Sequence, residues 1–76
     1  MRETVEMIVK AIVDDAEAVE VREVEQKGTL IIEVRVAEAD MGKIIGRQGR
    51  TVRALRSLLH AAGLKQHRRY VLEIME

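Results

Sequence analysis

Residues 43–59 read KIIGRQGRTVRALRSLL and place two glycines, Gly46 and Gly49, in an apolar and strongly basic segment. Glycine inside a helix costs about 1 kcal/mol relative to alanine, and arginine at a helix start opposes the positive end of the helix dipole. Local rules broken together in this way are typical of a functional site. The glycines predict a tight turn between two helices, with Arg47 and Gln48 at its tip.

The helix predicted after this turn carries its cations beside its apolar face. Its buried side is marked at helical spacing by Val52, Leu55, Leu59 and Ala62, with Leu58 at the edge. Arg50, Arg53 and Arg56 share the adjoining arc. These charges repel one another and the helix dipole, so an anion beside the helix start would stabilise it. The sequence therefore predicts an anion site, and the alternative is a solvated basic face beside an ordinary turn.

The first half of the chain predicts a helix followed by two strands. Apolar residues recur at helical spacing over residues 2–14. Residues 18–26 alternate as a strand and then shift phase at Val24, which predicts a bulge there. Residues 29–36 alternate cleanly, and the Lys-Gly pair between the two runs predicts a hairpin turn.

The second half predicts two helices and a third strand. Asp40 is the predicted N-cap of a short helix before the glycine turn, and Gly63 predicts the end of the long helix after it. Residues 70–76 alternate, with Tyr70 predicted to face the core. The order α-β-β-α-α-β predicts an α+β fold in which helices pack on one face of a three-stranded sheet. The chain, residues 1–76, is predicted to form a single domain.

The net charge of zero conceals a division between the halves. Residues 1–40 carry 5 basic and 11 acidic side chains, a net of −6, and residues 41–76 carry 8 basic and 2 acidic, a net of +6. This asymmetry predicts a polyanion-facing surface built from the second half. The alternative is a bipolar protein whose halves attract one another. No apolar run approaches the roughly 20 residues of a membrane span, and the N-terminus lacks the layout of a signal peptide, so a cytoplasmic protein is expected.

The stretch IIGRQGRTV, residues 44–52, matches the signature (I/V)-I-G-x-x-G-x-x-(I/V) of K-homology (KH) domains at every defining position. In its element order, the chain resembles the type II, or prokaryotic, KH domain. In its length of 76 residues, it is similar to proteins of the small bacterial KhpA family. The resemblance implies a loop that clamps the backbone of about four nucleotides of single-stranded RNA or DNA. It also implies a homodimer, pairing with a larger multidomain KH protein of the KhpB (Jag) type, and a role as post-transcriptional regulator or RNA chaperone linked to cell-envelope growth and division.

Carried onto this chain, the resemblance implies an RNA-binding site around the glycine loop. Loop residues would contact phosphates, apolar residues would form or support a groove for bases, and cations would line the rim. These residues are Gly46, Arg47, Gln48 and Gly49 in the loop, Ile44, Ile45 and Val52 in the groove, and Lys43, Arg50 and Arg53 on the rim. The other wall of the groove would come from residues 68–74. Helical periodicity alone, in contrast, predicts that Ile45 and Val52 are core residues.

Other kinds of site find less support in the sequence. The glycines lack the spacing and the lysine of a nucleotide-binding P-loop, and the stacking platforms of RRM and OB folds need aromatic side chains, of which Tyr70 is the only one. Ser57 has no recognisable histidine–carboxylate pair, and His60 and His67 alone make a poor metal site. No enzymatic activity, cofactor or metal is therefore expected.

Two non-RNA functions stay open at this stage. The groove and its arginines would also suit an acidic protein partner, which makes the chain a protein-interaction module. Arg50, Arg53 and Arg56 would instead suit a reader of duplex DNA. The acidic first strand, with Glu20, Glu23 and Glu25, is predicted to be a solvated face that repels RNA and limits binding to one side.

Overall fold

The computed structural model describes residues 1–75 and confirms the predicted α+β order. Three short 3-10 turns connect the main elements, at Ala16–Ala18, Glu38–Asp40 and Arg47–Gly49. The main elements are α1 (Arg2–Ile12), β1 (Glu20–Gln26), β2 (Thr29–Arg35), α2 (Met41–Ile45), α3 (Arg50–Gln66) and β3 (Arg69–Met75).

The sheet is mixed, with β2 in the centre. Strand β1 pairs antiparallel with β2 through the predicted hairpin, and β3 pairs parallel with β2 on its other side. A parallel neighbour needs a long crossover connection, which α2 and α3 supply. Helix α3, which begins at the glycine loop, therefore packs against the edge strand β3, and α2 packs against α3.

The core lies between one face of the sheet and the helices. Each main layer contributes side chains with 2% exposure or less: Val9 from α1, Ile32 and Val34 from β2, Ile44 from α2 and Leu59 from α3. Burying such a side chain stabilises the fold by about 1.5–3 kcal/mol. Tyr70 is half-buried and packs against this core, as its alternation predicts.

Two local predictions are wrong, and the first helix ends two residues before the approximate end that its periodicity predicts. Strands β1 and β2 pair one to one from end to end, so there is no bulge at Val24, which instead lies opposite Ile31 on the outer face. Helix α1 ends at Ile12 because the backbone of Val13 is extended, with φ −84° and ψ 160°. Helix α3 continues through Gly63 to Gln66 and ends at a left-handed residue beyond it.

Gly63 has a packing role in place of the predicted helix-ending role. A Cβ at this buried position would lie 2.4 Å from the carbonyl oxygen of Arg68. The Arg68 N–H also donates to the Gly63 carbonyl at 2.8 Å. The absence of a side chain thus lets α3 pass directly under the start of β3.

Asp40 precedes α2, as predicted, but its side chain does not cap that helix. The carboxylate is 3% exposed and accepts hydrogen bonds from the backbone N–H groups of Asp14 and Asp15, at 3.3 and 3.1 Å. It also lies 3.8 Å from the ammonium of Lys43. A single buried carboxylate therefore joins the segment after α1 to the start of the loop-bearing helix pair.

Candidate nucleic-acid interface

The glycine loop is a turn between two helices, as predicted, and it depends on three left-handed backbone positions. Gly46 ends α2 with φ 77° and ψ 170°, and Gln48 and Gly49 follow with φ 56° and 74°. The conformation of Gly46 is one that only glycine adopts readily. The turn leaves the side chains of Arg47 and Gln48 exposed at its tip.

The start of α3 beside the loop is electropositive. No side chain caps the first turn, and that turn contains no acidic residue. The orphan N–H groups and the positive end of the helix dipole therefore add to the charge of Arg47 and Arg50. Along the sequence, residues 41–72 contain every basic residue of the second half and no acidic one. An anion bound at the start of α3 would be attracted both by the arginine side chains and by the backbone N–H groups.

Arg53 holds the loop from its helix side. Its guanidinium donates to the carbonyl oxygens of Gln48 at 2.9 Å and Gly49 at 3.3 Å. Both acceptors belong to left-handed residues, so these bonds stabilise the conformation that the turn requires. The family resemblance implies a rim position for Arg53 and does not include this contact with the loop backbone.

We expect Arg53→Gln to loosen the loop without unfolding the domain. Loss of these bonds costs about 0.5–1.5 kcal/mol per bond, which predicts roughly tenfold faster hydrogen exchange at the Gly49 amide. NMR exchange rates measure this directly, with a melting curve as a check on the fold. Arg50→Gln is the matched control, because Arg50 donates to neither carbonyl. Equal exchange rates in the two variants would contradict the role assigned to Arg53.

The charge of Lys43 is already partnered within the protein. Its ammonium pairs with the carboxylates of Asp14 and Asp40. The hydrogen bond to Asp14 is the main cause that raises the pKa of Lys43 above its ordinary value of 10.5, against partial burial, which lowers it. The positive charge of Lys43 is thus offset by two carboxylates, so Lys43 offers less charge to a ligand than the loop arginines.

The apolar residues predicted for the groove take three different positions. Ile44 is fully buried in the core, and Val52 is half-buried and packs against it. Ile45 is 43% exposed, so the periodicity-based prediction of a core role for Ile45 is wrong. Of this set, Ile45 is the side chain that presents apolar surface to solvent next to the loop.

Most of the predicted second wall, residues 68–74, lines an open space beside α3. A space of about 500 Å³ opens between α3 and β3 and is lined by Arg56, His60 and Leu64 and by residues 68–72. The glycine loop does not line it. The Tyr70 hydroxyl at this cavity donates to Oε1 of Gln66 at 3.1 Å. This space lies along α3, the helix that begins at the glycine loop.

Both histidines lie on the surface. His60 is exposed on α3, and His67 adopts the left-handed conformation that ends this helix, with φ 57°. Within residues 1–75, no three histidine, aspartate or glutamate side chains come together as metal ligands. No helix in the same range has the length and apolarity needed to cross a membrane.

Comparison with known proteins places the chain among proteins named for RNA binding. The family model described as "KhpA/KhpB, KH domain" matches residues 2–74. The RNA-binding protein KhpA of Caldanaerobacter subterraneus subsp. tengcongensis is 49% identical over 99% of this chain and 100% of the relative. The proteins of the same name from Aquifex aeolicus and Clostridium perfringens are 47% and 44% identical, covering 100% and 99% of this chain and 96% and 100% of the relatives. No solved structure matches with significance.

Proposed function

The chain belongs to the KhpA/KhpB family of KH domains, and we propose that it binds single-stranded RNA without catalysing a reaction. The observation that supports this proposal is the glycine loop. Its Arg47 and Gln48 are exposed, and they lie beside the first turn of α3, which contains no acidic residue. Such a loop suits the phosphate backbone of a single strand, which KH domains clamp over about four nucleotides. The relatives' printed name, RNA-binding protein, supports RNA as the ligand.

In the proposed complex, some site residues contact the RNA and the others hold the site in shape. Gly46, Arg47, Gln48 and Gly49 contact phosphates, Arg50 adds charge, and Ile45 supplies exposed apolar surface for a base. Ile44 and Val52 support the groove from the core side, and Arg53 holds the loop in shape. Lys43 stays a predicted rim residue, with its charge shared between two carboxylates.

The wider role rests on the family resemblance. We propose a cytoplasmic post-transcriptional regulator or RNA chaperone, linked to cell-envelope growth and division. We also propose self-association and pairing with a larger multidomain KH protein. A protein partner could bind at the apolar space between α1 and α3, where Leu58 is 55% exposed. A clamp with few phosphate contacts binds modestly by itself, so a second domain would add affinity by avidity.

The double variant Arg47→Asp and Gln48→Asp is expected to weaken binding to short single-stranded RNA by about tenfold, because acidic side chains at the loop tip repel phosphate. Fluorescence anisotropy with a labelled oligonucleotide measures the affinity. Circular dichroism and the melting temperature should barely change, since both positions are exposed. For the wild type, a slope of log K against log salt near −2 corresponds to about three phosphates at roughly −0.7 each.

The same titration separates the alternatives. Undiminished RNA binding by the double variant would place the site elsewhere. Wild-type protein that shows no salt-dependent RNA binding, but binds an acidic peptide, would be a protein-interaction module. Tighter binding to duplex DNA than to single strands would favour a duplex reader built on Arg50, Arg53 and Arg56.

A further inference from the structure

The outer face of the sheet, which is turned away from the helices, carries a row of apolar side chains across all three strands. Val24 of β1 lies opposite Ile31 of β2, and Ile31 lies opposite Val71 of β3. Val71 is 37% exposed, and the other two side chains are half-buried. A solvated sheet face normally presents polar side chains. The row therefore places apolar surface at the centre of an otherwise polar face.

Polar and charged side chains flank this apolar row on both sides. The hairpin side has Gln26, Thr29 and Arg69, and the other side has Arg22, Glu33 and Glu73. On β3, Arg69 and Glu73 thus lie two residues to either side of Val71. Within residues 1–75, neither Arg69 nor Glu73 has an opposite charge within ion-pair distance. Glu73 instead lies directly opposite Glu33, and like charges in this position destabilise a sheet.

This pattern is complementary to itself. When a second copy is stacked on the outer face about a two-fold axis that runs along the apolar row, each apolar side chain meets its own counterpart. Arg69 of each copy then lies over Glu73 of the other copy, so both uncompensated charges gain a partner. A two-fold axis along the strands would instead place Glu33 over its own counterpart, which like-charge repulsion opposes. Charge complementarity therefore selects the axis along the apolar row.

The size of the face sets the strength of such a contact. Each of the three strands has seven residues. At about 4.8 Å between strands and about 3.3 Å per residue, the face covers roughly 330 Å² in plane. This is less than the roughly 800 Å² that each partner buries in a stable complex. A weak dimer is therefore expected, which forms at high protein concentration or when one RNA strand holds two copies close together.

We propose that two copies of this chain associate through the outer faces of their sheets, stacked about a two-fold axis that passes along Val24, Ile31 and Val71. The proposal rests on the proposed self-association and assigns its surface. Ile31 lies at the centre of this surface because β2 is the central strand. The helices pack on the other face of the sheet, so the glycine loops of both copies stay free for RNA.

The test places a charge on the two-fold axis. Ile31→Lys and Ile31→Glu should each weaken self-association by at least about tenfold, because the new charge meets its own copy. An equimolar mixture of the two variants should associate again, because lysine then meets glutamate. Sedimentation velocity at millimolar protein measures this, with melting curves as a check on the fold. Leu58→Lys is the matched control, since it charges an exposed apolar side chain on the helical side, and it should associate like the wild type.

The remaining outcomes separate this surface from the proposed RNA binding. Loss of association in Leu58→Lys, but not in the Ile31 variants, would move the interface to the space between α1 and α3 and overturn the proposal. A mixture that stays monomeric would remove Ile31 from the axis and overturn it as well. Wild-type protein that is monomeric at millimolar concentration would contradict self-association, whereas anisotropy titration with a tetranucleotide would still decide RNA binding. Ile31→Lys should bind that tetranucleotide like the wild type. Association without RNA binding in any variant would support the surface and contradict the proposed RNA function.

Discussion

Gly46→Ala is expected to lower RNA affinity by at least about thirtyfold, the largest loss that one methyl group should cause in this chain. The backbone of Gly46, at φ 77° and ψ 170°, lies in a region that costs other residues about 1–3 kcal/mol. The added Cβ would also lie 2.3 Å from Oγ1 and 2.8 Å from the backbone nitrogen of Thr51. Because Thr51 belongs to the first turn of α3, the loop has to change shape to relieve this contact.

Two other glycines of the same segment are matched controls. Gly49 has φ 74°, but its nearest neighbour to an added Cβ is Cγ1 of Val52 at 4.0 Å. Gly49→Ala therefore carries only the left-handed strain of about 1–2 kcal/mol. Gly42 lies within α2, with nothing within 4 Å of an added Cβ. Gly42→Ala should leave the affinity unchanged and stabilise the helix by up to about 1 kcal/mol.

Anisotropy titrations of these variants, together with their melting temperatures, test the ranking. The expected order of affinity loss is Gly46→Ala, then Gly49→Ala, then Gly42→Ala. An alanine at position 46 that binds as tightly as the wild type would show that the loop conformation is not what RNA recognises. Equal losses at positions 46 and 42 would point to a general effect of glycine replacement.

The element order and the glycine loop could be predicted from sequence because their signals are local. The alternation of β2 names its buried residues, and a pair of glycines between apolar helical runs predicts a turn. The parallel pairing of β3 also follows from the long helical crossover that precedes it. The prediction of a bulge at Val24 is wrong because a single shift in alternation is the same for a bulge and for an apolar residue on the outer face of the sheet.

The wrong or missing details depend on distant or very short segments. Helix α2 has only five residues, too few for periodicity to distinguish buried Ile44 from exposed Ile45. In sequence, Gly63 has the character of a helix end. Its packing role depends on the Arg68 carbonyl, which comes close only when α3 packs against β3. The bonds from Arg53 to the loop carbonyls depend on a left-handed turn that sequence suggests without fixing its geometry.

The contacts of Asp40 also depend on a distant segment of the chain. Its partners, Asp14 and Asp15, lie 26 and 25 residues earlier in the chain. In the sequence, Asp14 and Asp15 follow the first helix and Asp40 precedes α2, and no local pattern connects them. In the fold, the backbone N–H groups of Asp14 and Asp15 donate to the carboxylate of Asp40. The Lys43 ammonium pairs with the carboxylates of both Asp14 and Asp40.

Asp40→Asn is expected to lower the melting temperature at neutral pH by more than any exposed acid-to-amide change in the chain. The amide retains one acceptor oxygen, so one of the two partly buried backbone N–H groups loses its partner. The charge interaction with Lys43 also disappears. Glu38→Gln is the matched control, because Glu38 is an exposed acid in the same short turn. The melting temperature of Glu38→Gln should equal that of the wild type.

The pH dependence gives this prediction its sharper test. The Asp15 N–H above all, and then the Asp14 N–H and Lys43, lower the pKa of Asp40 below its ordinary value of 3.8, although burial acts in the opposite direction. A carboxyl whose folded pKa is lowered contributes stability above its unfolded pKa and loses it as the pH falls through the folded value. The melting temperatures of the wild type and Asp40→Asn should therefore differ fully at pH 7 and converge below about pH 3.8. A difference that persists unchanged into acid would mean that the carboxylate charge does not hold the two segments together.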